Sequence, residues 1–183
     1  MTNSTTWVID AMHSEIQFKV KHLVISTVTG TFRKFEGKAV TDGADFTNAK
    51  IAVSLDVKSI DTNQEQRDTH LRSSDFFAAD LYPTIHFEST AFEKTTGNEY
   101  KMRGNLTMKG VTHPIELRVE YGGSEKNSQG NLKHGFEVTG IVNRKEFGMT
   151  FNGPTETGGL VLGEDIKLMA NIQVVQLVEE PVH

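Results

Sequence analysis

Cysteine is absent from all 183 residues. That excludes a disulfide framework, a thiol nucleophile and a thiolate metal site. No apolar run is long enough to cross a bilayer as a helix, and Met1-Thr2-Asn3-Ser4-Thr5-Thr6 has neither the basic nor the apolar region of an export signal. A cytoplasmic location is expected from this, or a periplasmic one if a signal peptide is missing from the chain as given. Basic residues form no stripe and the net charge is −5, which argues against nucleic acid as a partner. A Gly-rich phosphate loop, a dinucleotide-binding fingerprint and a nucleophile elbow are all missing. His13, His22, His70, His86 and His113 are too dispersed for metal-ligand spacing, and are read as individual surface or core histidines. No metal and no cofactor are expected.

What is present is mostly strand and turn, with one stretch that reads as a helix. Thr62 followed by Glu65 has the spacing of a capping box, so a helix is expected to begin near Asn63. Up to Ser73 its only large apolar residue is Leu71, too little for a helix buried along one face. The helix is expected on the surface, with Phe76 and Phe77 holding it as a lid or brace over an apolar interior. Elsewhere residues alternate with a period of two, as in Ile16, Phe18, Val20, then Ile51, Val53, Leu55, and then Met102, Leu106, Met108. Turns are expected at Asp42-Gly43, Thr96-Gly97-Asn98 and Lys109-Gly110. The polar stretch from Gly122 to Gly130 reads as a long hairpin end or tip. One domain is expected over residues 1–177, followed by a tail at 178–183.

About eight strands, several near ten residues long and joined by short turns, predict an all-β fold. The expected form is an extended antiparallel barrel with one short surface helix, because closure removes long unpaired edges. Gly30, Gly37, Gly104 and Gly140 fall on the apolar parity of their strands. Two readings stand: bends at barrel corners, or missing side chains that leave room for a ligand. An eight-stranded barrel sits at the boundary between filled and hollow, so the missing side chains tip the balance towards a cavity. Strands of about ten residues tilted near 40° make it roughly 25 Å tall, a shape suited to a long thin molecule.

The chain resembles the YceI-like family of lipocalin-like, polyisoprenoid-binding bacterial proteins. The resemblance rests on Trp7-Val8-Ile9-Asp10 with His13-Ser14, Lys21-His22, Gly30-Thr31-Phe32 and Ser59-Ile60-Asp61-Thr62. It continues through Arg67-Asp68-Thr69-His70-Leu71, Asp75-Phe76-Phe77, Tyr82-Pro83-Thr84-Ile85-His86-Phe87, Gly104 to Thr112, and Asn143 to Met149. It implies a barrel whose apolar pore holds a long isoprenoid lipid such as a quinone tail, and a homodimer.

The candidate lipid-binding residues are Ile16, Phe18, Val20, Phe32, Ile51, Val53, Leu55, Phe76, Phe77, Phe87, Met102, Leu106, Met108, Phe136, Val138, Phe147, Leu168 and Ile172. Parity alone does not separate a ligand wall from packed core. Arg67, Asp68 and Arg72 are read as ties between the helix and neighbouring loops, and Asn143-Arg144 with Glu146 as a hydrogen-bonded corner. A carrier of a long-chain isoprenoid lipid, without catalytic residues, is the reading that follows. Its rivals are an enzyme using His70, Asp68 or His13 on a lipid-like substrate, and an interaction module whose barrel is filled by its own side chains.

Overall fold

The computed structural model describes residues 4–23, 25–43, 45–152 and 162–177, so the expected tail at 178–183 lies outside the described residues. The alternating stretches form β1 (Ser4–Ile9), β2 (Glu15–His22), β3 (Ser26–Phe32), β4 (Phe35–Asp42), β5 (Asp45–Asp56) and β6 (Ile60–Asp61). After α1 (Glu65–Arg72) come β7 (Thr84–Lys94), β8 (Glu99–Met108), β9 (Val111–Lys126), β10 (Leu132–Asn143) and β11 (Leu162–Gln176). Hydrogen-bonded neighbours run β1-β4-β5-β7-β8-β9-β10-β11, and β11 pairs back onto β1, so eight strands close a ring. Every pairing is antiparallel.

The other three segments arise where long strands break. β1 and β2 share one edge of β11, with Ile9 opposite Val174 and Glu15 opposite Asn171. Between them the Ser14 hydroxyl donates to the Asp10 carbonyl at 2.7 Å and accepts from the Gln173 N–H at 2.9 Å, bridging the gap in the ladder. β3 pairs with β2, and β6 with β3, extending the sheet beyond the closed ring. The stretch expected as a loop from Gly122 is strand as far as Lys126. Gly122 and Gly123 sit beside a register shift opposite Gly135/Phe136, so these glycines belong to a bulge and the tip is confined to 127–131.

Side chains of one parity face inward. On β8, Met102, Leu106 and Met108 are buried while Arg103 and Asn105 are exposed. At the barrel end where β1 begins, Trp7, Phe46 and His134 pack ring against ring with centres 4.8–5.2 Å apart. Phe136 and Tyr121 extend this cluster, and the Trp7 indole N–H is satisfied by the Thr41 hydroxyl at 3.0 Å.

At the other end, α1 starts at Glu65 rather than near Asn63, and the expected capping box does not form. Asn63 has a left-handed backbone, φ 64°, and its N–H is held by the Asp61 carboxylate at 2.8 Å, which keeps it out of the helix. Thr62 is engaged elsewhere. Its N–H and hydroxyl both donate to the buried Asp68 carboxylate, at 2.9 and 2.5 Å, and its hydroxyl accepts from Arg67 Nε at 2.7 Å. Arg67 and Arg72 also donate to the Thr62, Lys58 and Ile60 carbonyls. Helix and preceding strand are thus tied by one buried carboxylate and two guanidinium groups.

Asp68→Ala would strip Thr62 of its acceptor in a site with little water. The expected loss is about 2–3 kcal/mol, a Tm drop on the order of 5–10 °C. An unchanged Tm in thermal unfolding would show that this buried tie carries no stability.

Candidate functional site

The barrel encloses a cavity of about 270 Å³ whose wall is almost wholly aliphatic and aromatic. Seventeen of the eighteen candidate residues lie on it: Ile16, Phe18, Val20, Phe32, Ile51, Val53, Leu55, Phe76, Phe77, Phe87, Met102, Leu106, Met108, Phe136, Val138, Leu168 and Ile172. Phe147 does not. It follows the last residue of β10 in a 3-10 turn, Arg144–Phe147, where alternation no longer reports direction; there it is fully buried and meets His113 edge-on. Phe46, Phe92 and Phe136 reach the wall from the aromatic end. Leu71, Phe76 and Phe77 reach it from α1 and the turn after it.

The reading that the interior glycines leave open room does not hold as stated. A Cβ on Gly30 would lie 2.3 Å from Phe18 Cζ, one on Gly37 2.6 Å from Ile9 Cδ1, and one on Gly140 2.3 Å from Leu117 Cδ2. On Gly104 it would meet both Phe87 Cζ and the Glu88 carbonyl at 2.5 Å. The space over each glycine is occupied by a neighbour that itself lines the cavity. The glycines let Phe18, Phe87, Ile9 and Leu117 lie against the sheet instead of standing into the lumen.

Two groups stand out among the wall residues absent from the candidate set. Ile9, Ile115, Leu117, Val119, Ile166 and Val174 share the parity of their strands and carried the same signal. Arg144 carried none, because an arginine at a strand end reads as surface. It is only 3% exposed. Nε donates to the Gly163 carbonyl at 2.8 Å, and Nη1 to the Met149 and Phe151 carbonyls at 2.7 and 2.8 Å. Nη2 is buried with no hydrogen-bond partner among the described residues. Burial pulls the guanidinium's pKa below its usual range, with Glu164 partly opposing the shift. Asn143 and Arg144 form the expected hydrogen-bonded corner, the Asn143 carboxamide accepting from Lys145 N–H, and the arginine also borders the cavity.

The groups named for catalysis lie off the wall. Asp68 is committed to Thr62. His70 Nε2 pairs with Asp75 at 2.8 Å, and Ser73 donates to the His70 backbone carbonyl rather than to its ring. His13 pairs with Asp10, which Lys133 also holds at 2.6 Å. Among the described residues no three His, Asp or Glu side chains converge as metal ligands, and no helix is long and apolar enough to cross a membrane.

The family model of the YceI-like domain matches residues 7–174. The chain belongs to the YceI-like family. A UPF0312 protein of Staphylococcus epidermidis is 40% identical over 170 residues, covering 92% of this chain and 96% of that one. The YceI protein of Campylobacter jejuni is 34% identical and superposes with a TM-score of 0.75, covering 92% of this chain and 96% of that one. A polyisoprenoid-binding domain from Saccharophagus degradans shares the fold at 13% identity and a TM-score of 0.69, over 93% of this chain and 98% of that one.

Within the aromatic end, His134 is buried; Nδ1 meets the Tyr121 hydroxyl at 2.7 Å, while Nε2 has no partner among the described residues. Desolvation lowers its pKa from 6.5. The unfolded chain then binds the proton more readily, so stability falls as pH drops below about 6.5. The carboxylates with lowered pKa, Asp10, Asp45, Asp61 and Glu164, lose their contributions only below about pH 4.5, in a separate window. Tm is expected to fall between pH 7.5 and 5, and His134→Phe to flatten that slope. An equal slope in the variant would place the titrating group elsewhere.

Proposed function

We propose that this protein binds a long-chain isoprenoid lipid, a quinone or prenyl lipid, in the barrel cavity and sequesters or carries it without chemical conversion. The observation that carries this reading is the wall itself. Apolar side chains from the strands and from the turn after α1 converge on one cavity, and the acids and histidines suited to catalysis lie off it. The polyisoprenoid-binding description of the Saccharophagus degradans domain supports the same ligand class.

Transfer of a prenyl chain from water to such a wall is worth about 0.8 kcal/mol per buried CH₂, of which association and ordering take back a large part. The flexible thioethers of Met102, Met108, Met149 and Met169 let the wall adapt to chains of different shape. Trp7, the single tryptophan, packs on Phe46 with ring centres 5.2 Å apart, and Phe46 is part of the wall. A naphthoquinone with a farnesyl tail absorbs where tryptophan emits, so its uptake at either end of the cavity is expected to quench Trp7 fluorescence by energy transfer, saturably at one equivalent. Linear, unsaturable quenching would mean that the quinone meets the protein only by collision.

A further inference from the structure

The geometry points to Arg144 as the head-group anchor of the cavity, taking an acceptor oxygen of the lipid head, a quinone carbonyl or a phosphate, on its free Nη2. The inference rests on the carrier reading and adds to it the polarity of the ligand and the direction in which it lies. Arg144 is nearly fully buried, yet among the described residues only three backbone carbonyls hold it, all on Nε and Nη1. No carboxylate forms an ion pair with it among the described residues. Glu164 acts on it only at longer range and is itself paired with Lys145 at 2.8 Å.

A buried guanidinium nitrogen without an acceptor is costly, and Arg144 borders the cavity, so a head group that displaces the side chains covering Nη2 can supply what the chain does not. The three carbonyls fix the plane of the group, so Nη2 is pre-oriented before anything binds. Arg144 follows β10, at the barrel end where the turn after α1 brings Phe76 and Phe77 to the wall; the Trp7 cluster occupies the opposite end. The head would sit at the Phe76 end and the chain would run towards Phe46 and Phe92. A cationic head is excluded by the same charge.

The test compares three probes with one C15 chain: farnesyl monophosphate, the farnesyl naphthoquinone, and farnesane, which has no oxygen. Quinone affinity is read from Trp7 quenching, and the other two from displacement of the quinone. The wild type is expected to hold one or both oxygen-bearing probes at least about tenfold more tightly than farnesane. Arg144→Met should lose that preference and keep its farnesane affinity. A larger gain for the phosphate assigns a phosphorylated head, and a larger gain for the quinone a carbonyl.

Because Arg144 also holds three carbonyls, the variant is open to misfolding. The infrared carbonyl band of the quinone bound to wild-type protein then decides: a band lowered from its position in hydrocarbon solvent supports the anchor, and an unshifted one overturns it. Equal affinity for all three probes overturns the anchor and leaves the carrier standing. Uptake of none of them removes the carrier reading, and the anchor with it.

Discussion

Phe77→Asp is expected to abolish retention of prenyl lipid while leaving the barrel folded. Phe77 lines the cavity and meets Phe32 edge-on with ring centres 6.0 Å apart, yet is only partly buried. A carboxylate there faces two unfavourable positions. Turned inward it loses its hydration against an apolar wall, which costs several kcal/mol; turned outward it leaves a gap beside Phe32 and admits water. Either way affinity should fall by at least about a hundredfold. Phe76 is a poorer site for this test, since it is buried against His70 and Phe151 and its loss would threaten the fold itself. Far-UV circular dichroism establishes folding, and quinone quenching of Trp7 reads retention. Wild-type retention in a folded variant would remove Phe77 from the ligand wall.

Gly104→Ala is expected to destabilise the protein by about 3 kcal/mol, and Gly140→Ala by less than about 1 kcal/mol. Both positions lie on the inward parity of long strands, and by strand pattern alone they are equivalent. They differ in what can move. At Gly104 the new methyl meets the Glu88 backbone carbonyl, which is fixed within the β7–β8 region of the sheet, together with the Phe87 ring. At Gly140 it meets the outer methyl of Leu117, and Leu117 borders a cavity into which that methyl can swing. Urea unfolding of both variants gives the comparison. Equal losses, or a larger one at Gly140, would mean that the packing over these glycines is not as described.

Strand parity was legible in the sequence because one face of each strand meets an apolar lumen and the other meets water, which imposes the period of two. That is why the candidate set fell on one cavity. Where alternation stops, legibility stops with it: Phe147 lies in a 3-10 turn and points into packing at His113. The start of α1 was misplaced for a different reason. Thr62 and Glu65 have capping-box spacing, but Asp68 takes the Thr62 N–H that Glu65 would accept, and its hydroxyl as well, and a left-handed Asn63 pushes the helix onset to Glu65. The glycines were visible, but their role was not, because it depends on which cross-strand side chain leans over each one. Arg144 gave no signal of its burial. Its partners are the carbonyls of residues 149, 151 and 163, contacts made only when the chain folds back after β10.

The central claim, that this barrel holds a long-chain isoprenoid lipid, is tested most directly by native mass spectrometry of freshly purified protein, followed by solvent extraction of whatever it carries. The expected result is one prenyl or quinone species per chain in wild type, absent from Phe77→Asp. An empty wild-type protein that also fails to take up added quinones and polyprenols would contradict the carrier and leave a barrel filled by its own side chains.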